Sequence, residues 1–177
     1  MAYAEVPAFL GKLRARESWG RMALEAAILT AARSGEIRGA TWDEIDLEAG
    51  LWTVPADRMK AGKPHVVPLS PGAKQVFERA AALRTEGARY VFHGARPDKP
   101  MSDMTLMKVL RDMEAGVTAH GFRSSFRDWV SEETNYPGEL AEAALAHAIE
   151  NKVEAAYRRG NLLKKRRQLM DAWGVLL

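Results

Sequence analysis

A single short β pattern within a largely helical sequence is the feature that most restricts the fold. The apolar runs 51–55 and 65–69 are typical of strands, and Gly62 and Pro64 between them mark a turn. A further strand around residues 44–47 completes a small antiparallel sheet. Because the rest of the chain has helical patterns, the sequence predicts a mainly α fold with one three-stranded antiparallel β-sheet, in the α+β class.

Helix signals lie on both sides of this sheet. Before it, helices are predicted over residues 7–14 and 18–32, with Ser18 as the N-cap of the second. Ser34 is expected to cap a short helix whose first turn contains Glu36, a favourable place for an acidic side chain. After the sheet, helices are predicted to follow Ser70-Pro71, Ser102, His120 and Asn161, and another is predicted from Pro137 to near His147.

Length and composition exclude several classes of protein. The 177 residues suit one packed domain, and the absence of cysteine excludes disulfides and thiolate metal sites. No apolar run approaches the roughly 20 residues that a membrane span needs. Residues 1–7 lack the basic region and apolar core of a signal peptide. We therefore expect a cytoplasmic protein that has no membrane partner.

The charge is unevenly distributed along the chain. The net charge is only +3, from 26 Lys and Arg against 23 Asp and Glu, which is a weak argument for a nucleic-acid ligand. Basic residues concentrate at 158–159 and 164–167, whereas acidic residues concentrate around 43–48. The final basic run is explained by phosphate contacts or by a solvated helix face, so both interpretations stay open.

A group of polar residues has no obvious role in packing. Its members are Arg33, Lys60, His120, Arg123, His147 and Tyr157. Two guanidinium groups match the non-bridging oxygens of a phosphoryl-transfer transition state. No cluster of carboxylates offers hard oxygen ligands to a metal ion. The residue types therefore favour metal-free phosphoryl transfer, although surface ion pairs and a half-buried helical tyrosine would explain the same residues.

The order and spacing of these residues resemble a known family. The motifs are residues 32–37 (ARSGEI), 58–60 (RMK), 120–123 (HGFR), 145–147 (LAH) and 155–159 (AAYRR). In this order they resemble the tyrosine recombinase, or phage integrase, family and imply its catalytic-domain fold. The segments 66–70 (VVPLS) and 169–173 (LMDAW) are similar to the prophage and genomic-island branch. Each motif alone is weak, and the ordered set of five carries the resemblance.

The resemblance implies DNA strand cleavage without a metal ion or any other cofactor. Tyr157 would attack the scissile phosphate and leave a 3′-phosphotyrosine and a free 5′-hydroxyl. Because an unperturbed tyrosine has a pKa near ~10, this attack needs a base and cationic surroundings. His120 would handle the tyrosine proton. Lys60 would protonate the leaving oxygen, although Lys63 on the same hairpin is an alternative.

The resemblance also assigns the groups that hold the phosphate. Arg33 and Arg123 would bind its non-bridging oxygens, and His147 would form a hydrogen bond to it. A helix C-terminal histidine stabilised by the helix dipole is the structural alternative for His147. Glu36 would support the site by orienting its neighbours.

The resemblance further implies integration or excision of a prophage or genomic island. The partners would be double-stranded DNA at attachment sites and further copies of the chain, as a tetramer on DNA. Residues 1–177 would form a single catalytic domain, and the DNA-binding domain that normally precedes it would be missing. Two other functions stay open, a type IB topoisomerase-like relaxation of DNA and an inactive DNA-binding remnant.

Overall fold

The computed structural model describes residues 1–147 and 162–177 as helices joined around one small sheet. The helices are α1 Val6–Arg14, α2 Trp19–Thr30, α3 Ser34–Arg38, α4 Pro71–Ala82, α5 Thr105–Asp112, α6 Gly121–Glu133, α7 Gly138–Ala144 and α8 Leu162–Leu176. The strands are β1 Ile45–Asp46, β2 Leu51–Val54 and β3 His65–Pro68. They pair antiparallel in the order β1-β2-β3, which confirms the predicted fold class.

The sheet presents one face to the protein interior. In β2, Trp52 and Val54 are buried while Thr53 between them is exposed, as the alternation of a strand requires. Trp52 packs against Phe77 of α4 with ring centroids 6.2 Å apart. Val54 pairs with His65, so the strands diverge beyond this pair into the connection that contains Lys60.

Helix α2 is the centre of the fold, since it packs against α1, α3, α4, α5 and α8. The Oγ of Ser18 accepts from the backbone N–H of Arg21, which confirms the predicted cap. Leu24 and Ile28 are fully buried, and each such side chain contributes about 1.5–3 kcal/mol. The helix ends at Ala31, whose φ of 51° turns the chain towards α3.

A second apolar cluster joins the C-terminal helix to α6 and α7. Trp173 of α8 is fully buried and packs against Phe126 and Trp129 of α6, with ring centroids 5.4 and 5.1 Å away. The Trp173 indole N–H donates to the carbonyl of Ile28 at 3.0 Å, which ties α8 to α2. The predicted helix after residue 161 is thus present, whereas Asn161 lies outside the described residues.

Two of the predicted helix caps are wrong. Arg33, and not Ser34, is the N-cap of α3, because the Glu36 carboxylate already accepts from the Arg33 backbone N–H. Helix α5 has Met104 as its N-cap, and Ser102 lies two residues earlier, where its Oγ accepts from the Met104 N–H at 3.2 Å. Within the described ranges, no helix is both long and apolar enough to cross a membrane.

Candidate active site

The start of α3 holds a carboxylate against a guanidinium. One oxygen of Glu36 accepts from the Arg33 backbone N–H at 2.9 Å, and the other accepts from Arg33 Nη1 at 2.7 Å. The Glu36 side chain is 7% exposed and that of Arg33 is 30% exposed. Glu36 therefore fixes both the backbone and the side chain of Arg33, while part of the guanidinium stays accessible.

Arg123 of α6 is buried and joins the ends of two other helices. Its Nη1 donates to the carbonyl of Ala31, at the end of α2, and its Nη2 donates to the carbonyl of Leu145 at 2.7 Å. Burial, with a smaller effect of the positive charge of Arg33, lowers the pKa of Arg123 to about 10. The guanidinium consequently stays charged at neutral pH.

His147 follows α7 and contacts Arg123 directly. Its Nε2 lies 3.2 Å from Arg123 Nη2, which is only a donor, so Nε2 accepts. The Nδ1–H then donates to a Glu142 oxygen at 2.6 Å. Burial alone would raise the pKa of Glu142, but the hydrogen bond from His147 and the charge of Arg127 outweigh it and lower the pKa. This chain of contacts orients the His147 ring.

An open hollow of about 380 Å³ brings several predicted residues together. Its lining includes Arg33, Glu36, Lys60 and His120. His120 is the exposed N-cap residue of α6. Lys63 is not in the lining, so the geometry favours Lys60 over Lys63 as the hairpin lysine of this site.

The predicted residues thus form two adjoining groups. Arg33, Glu36, Lys60 and His120 surround the hollow, and Arg123 contacts His147. The groups lie within electrostatic range of each other, because the charge of Arg33 lowers the pKa of Arg123 and the charge of Glu36 raises it. Tyr157 lies outside the described residues. No group of three or more His, Cys, Asp or Glu side chains in residues 1–147 and 162–177 is placed to hold a metal ion.

One residue without an assigned role contacts this site, and a second lies near it. Arg58 lines the hollow and its Nη1 donates to the carbonyl of Glu36 at 3.0 Å. His65 of β3 donates from Nε2 to the carbonyl of Ala144, at the end of α7, at 3.2 Å. Burial lowers the pKa of His65 to about 4, so the ring is neutral. Arg58 lies in one of the sequence motifs, which is a signal, whereas no local pattern distinguishes His65.

Two arginines of the basic run 164–167 have a structural role that neither interpretation of the sequence included. Arg166 donates to the carbonyl of Val66 at 2.9 Å, and Arg167 donates to the carbonyl of Ala49 at 2.9 Å. The two arginines therefore attach α8 to strand β3 and to the turn between β1 and β2. Lys164 and Lys165 are exposed and stay available for phosphate contacts.

Comparisons with known proteins agree on one family. The family model described as "Phage integrase family" matches residues 1–162. Prophage integrase IntA of Escherichia coli (strain K12) is 38% identical over 153 residues, which cover 85% of this chain and 37% of the relative. Prophage integrase IntZ of the same organism is 35% identical over 171 residues, which cover 95% of this chain and 42% of the relative.

The fold has solved counterparts as well. A lambda integrase tetramer bound to a Holliday junction superposes with a TM-score of 0.63 at 20% identity, covering 86% of this chain and 47% of that one. At this identity the likeness concerns the fold. The chain spans about two fifths of the length of the curated relatives that it matches.

Proposed function

The chain belongs to the phage integrase family, and from this premise we propose that it is the catalytic part of a site-specific tyrosine recombinase. It cleaves and rejoins DNA through a covalent bond to Tyr157. One observation carries the proposal: Arg33, Lys60 and His120 surround one open hollow, beside the Arg123–His147 pair. This arrangement supplies positive charge and proton carriers to a single phosphate.

The two arginines and His147 stabilise the phosphate that is attacked. Negative charge on the non-bridging oxygens grows in the transition state, and guanidinium groups held in place beforehand stabilise it without reorganising. Arg33 is held by Glu36, and Arg123 is held by the carbonyls of Ala31 and Leu145. To bind the phosphate, His147 Nε2 carries a hydrogen and donates it to a phosphate oxygen, so it gives up the bond that it accepts from Arg123.

Lys60 and His120 move protons during cleavage. The bond from the Tyr157 oxygen to phosphorus forms while the bond from phosphorus to the 5′ oxygen breaks. His120 accepts the phenolic proton, and Lys60 gives a proton to the leaving 5′ oxygen. A 5′-hydroxyl from another strand reverses these transfers, so the phosphodiester is restored without ATP.

The whole protein then acts on attachment sites in double-stranded DNA, in the cytoplasm, to integrate or excise a prophage or genomic island. We propose a tetramer on DNA, and one solved structural relative is a tetramer on a Holliday junction. Type IB topoisomerase-like relaxation and an inactive remnant are not favoured, because the curated relatives are named prophage integrases and the described motif positions are filled.

Covalent trapping tests the proposed reaction. Duplexes with a nick close to the cleavage site are incubated with the protein in the presence of a metal chelator and analysed under denaturing conditions. The short fragment that carries the new 5′-hydroxyl diffuses away, so religation is prevented and the covalent adduct accumulates. We expect an adduct with the unchanged protein, none with Tyr157→Phe and an undiminished amount with the matched control Tyr136→Phe. An adduct that survives Tyr157→Phe would contradict the proposal, and so would the absence of any adduct on all duplexes.

A further inference from the structure

Arg58 lies between the hairpin and α3, two residues before Lys60. It ends a 3₁₀ turn, Ala56–Arg58, in the connection from β2 to β3. Its Nη1 donates to the Glu36 carbonyl at 3.0 Å, and its Nη2 forms an ion pair with the carboxylate of Glu44. One guanidinium therefore connects the loop that carries Lys60 to the helix that orients Arg33.

The carboxylate partner of Arg58 is itself fixed. One oxygen of Glu44 accepts from the Thr41 hydroxyl at 3.0 Å, and the other accepts from the Trp52 indole N–H at 3.0 Å. The Glu44 side chain is only 9% exposed and that of Arg58 is 23% exposed. Arg58 is thus attached to the sheet at one end of its fork and to α3 at the other.

Gly39 provides the space that this arrangement needs. A Cβ at this position would lie 2.5 Å from Arg58 Nη1, closer than real Cβ contacts. The φ of Gly39 is −91°, which any residue adopts, so the lack of a side chain matters here for space and not for backbone conformation. The sequence around α3 therefore accommodates the Arg58 guanidinium.

The loop after Arg58 is closed into a turn that contains Lys60. The Gly62 N–H donates to the Met59 carbonyl at 2.9 Å, and the Met59 N–H donates to the Ala56 carbonyl at 3.1 Å. Met59 is buried, so Arg58 and Met59 hold the loop by a polar and an apolar contact. Lys60 follows them and lines the same hollow as Arg33 and Glu36.

We propose that Arg58 is a positioning residue, which fixes Lys60 in the lining of the hollow that it shares with Arg33 by attaching the hairpin loop to α3. The inference rests on the proposed function, in which Lys60 protonates the leaving oxygen. Arg58 uses Nη2 for the carboxylate of Glu44 and Nη1 for the carbonyl of Glu36, so an ion pair and a hydrogen bond occupy both ends of its fork. The ion pair of Arg33 instead uses Nη1, and the fork of Arg123 bonds to uncharged carbonyls. Arg58 therefore acts through Lys60 and does not bind the phosphate.

Hydrogen exchange tests the attachment without DNA. Arg58→Gln removes the charge and the fork, and Gly39→Ala displaces the guanidinium without changing it. We expect the amides of Met59 and Gly62 to exchange at least about tenfold faster in both variants, because their turn hydrogen bonds open more often. The control Arg38→Gln removes another guanidinium–carbonyl bond of α3, to Met101, and should leave these amides unchanged. Unaltered exchange in Arg58→Gln would overturn the proposal.

A change of leaving group tests the consequence for catalysis. A sulfur in place of the bridging 5′ oxygen leaves as a thiolate, which is far less basic than an alkoxide (a cysteine thiol has a pKa of about 8.5), so it does not need a general acid. We expect Arg58→Gln to slow cleavage of ordinary DNA by about 10²-fold, as loss of general acid catalysis does, and to cleave the sulfur substrate within a few-fold of the unchanged protein. Lys60→Ala should behave in the same way.

The two experiments separate this inference from the proposed function. If Arg58→Gln slowed cleavage of both substrates equally, while the sulfur substrate restored cleavage by Lys60→Ala, the positioning role would be overturned. The proposed recombinase function would be unaffected. Failure of the unchanged protein to cleave either substrate would contradict the proposed function. The exchange rates of Met59 and Gly62 would still decide whether Arg58 fixes the loop.

Discussion

Arg123 performs its structural task and its proposed catalytic task with the same planar group. Its fork reaches the carbonyls of Ala31 and Leu145, which directly follow two different helices, and its neighbour is His147. An ammonium group has the same charge but cannot donate in two fixed directions from one plane. The side chain at this position is therefore determined by geometry as much as by charge.

Replacement of Arg123 by lysine should harm both tasks. We expect the free energy of unfolding to fall by about 1–3 kcal/mol, because at least one buried carbonyl loses its donor. Single-turnover cleavage should slow by about 10²–10³-fold, the usual cost of one transition-state donor. Urea unfolding and adduct formation measure the two effects, with the exposed Arg111→Lys as the matched control. An Arg123→Lys variant that cleaves at the normal rate would contradict the assignment of Arg123.

His65 makes the stability of the fold depend on pH. Burial, together with the charges of Arg166 and Arg33, lowers its pKa to about 4, against the opposing effects of the Ala144 carbonyl and Glu36. Between pH 6.5 and 4 the unfolded chain therefore binds a proton that the folded chain does not. The contribution of neutral His65 to the free energy of unfolding is fully present above pH 6.5 and is lost as the pH is lowered towards 4.

The size of this effect follows from the pKa shift and can be isolated. We expect a loss of about 1–3 kcal/mol across the window from pH 6.5 to 4. His65→Gln keeps an N–H for the Ala144 carbonyl but does not titrate there. The difference in unfolding free energy between the two proteins, measured from pH 7.5 to 4.5, should shrink or reverse as the pH falls. A difference that is constant across the range would show that His65 is not the titrating group.

At the scale of elements, strand β3 holds two helices at once. His65 donates to the end of α7, and the carbonyl of Val66, the next residue, accepts from Arg166 of α8. Trp173 fixes the other half of α8 to α2. The described residues on both sides of the segment that contains Tyr157 are therefore attached to the same small sheet and core.

Gly174 permits the close approach of α8 to α4. A Cβ at this position would lie 2.7 Å from the Oγ of Ser70, which is buried and caps α4. We expect Gly174→Ala to destabilise the fold by about 1–3 kcal/mol, although alanine is the better helix former. In the control Gly11→Ala, a helical glycine with no atom near the new Cβ, stability should rise by about 0.5–1 kcal/mol. Denaturant titrations of the two variants that shift in the same direction would refute this packing.

The elements could be predicted from the sequence where their causes are local. Ser18 and Ser70 bond to N–H groups three residues away, and strand alternation is visible in β2 itself. Ser34 is not the N-cap because the Glu36 carboxylate accepts from the backbone N–H of Arg33 and so starts the helix one residue earlier. Propensity alone does not decide between these two starts. The contacts of His65 and Arg123 join residues 79 and 92 positions apart. Only the folded chain determines such partners.

At the scale of the whole molecule, the site residues come from separate parts of the chain. Arg33 and Glu36 begin α3, Lys60 lies in the hairpin connection, and His120 begins α6. Their order in sequence was sufficient to suggest the family, whereas their meeting at one hollow is a property of the fold. That residues 1–177 form a single catalytic domain stays a prediction.

The basic residues of α8 change the expectation for DNA binding. Because Arg166 and Arg167 attach the helix to strand β3 and to the turn between β1 and β2, the run 164–167 offers mainly Lys164 and Lys165 to phosphates. With a net charge of only +3, we expect the cations around the hollow to contribute much of the affinity of the proposed recombinase for DNA.

The most direct test is the position of the covalent bond after trapping. The adduct is digested with nuclease and trypsin, and the modified peptide is identified by mass spectrometry. We expect a nucleotide attached through its 3′-phosphate to the oxygen of Tyr157, within the tryptic peptide 153–158. A nucleotide on Tyr3, Tyr90 or Tyr136, or one attached through a 5′-phosphate, would contradict the central claim that this site directs Tyr157 onto a DNA phosphate.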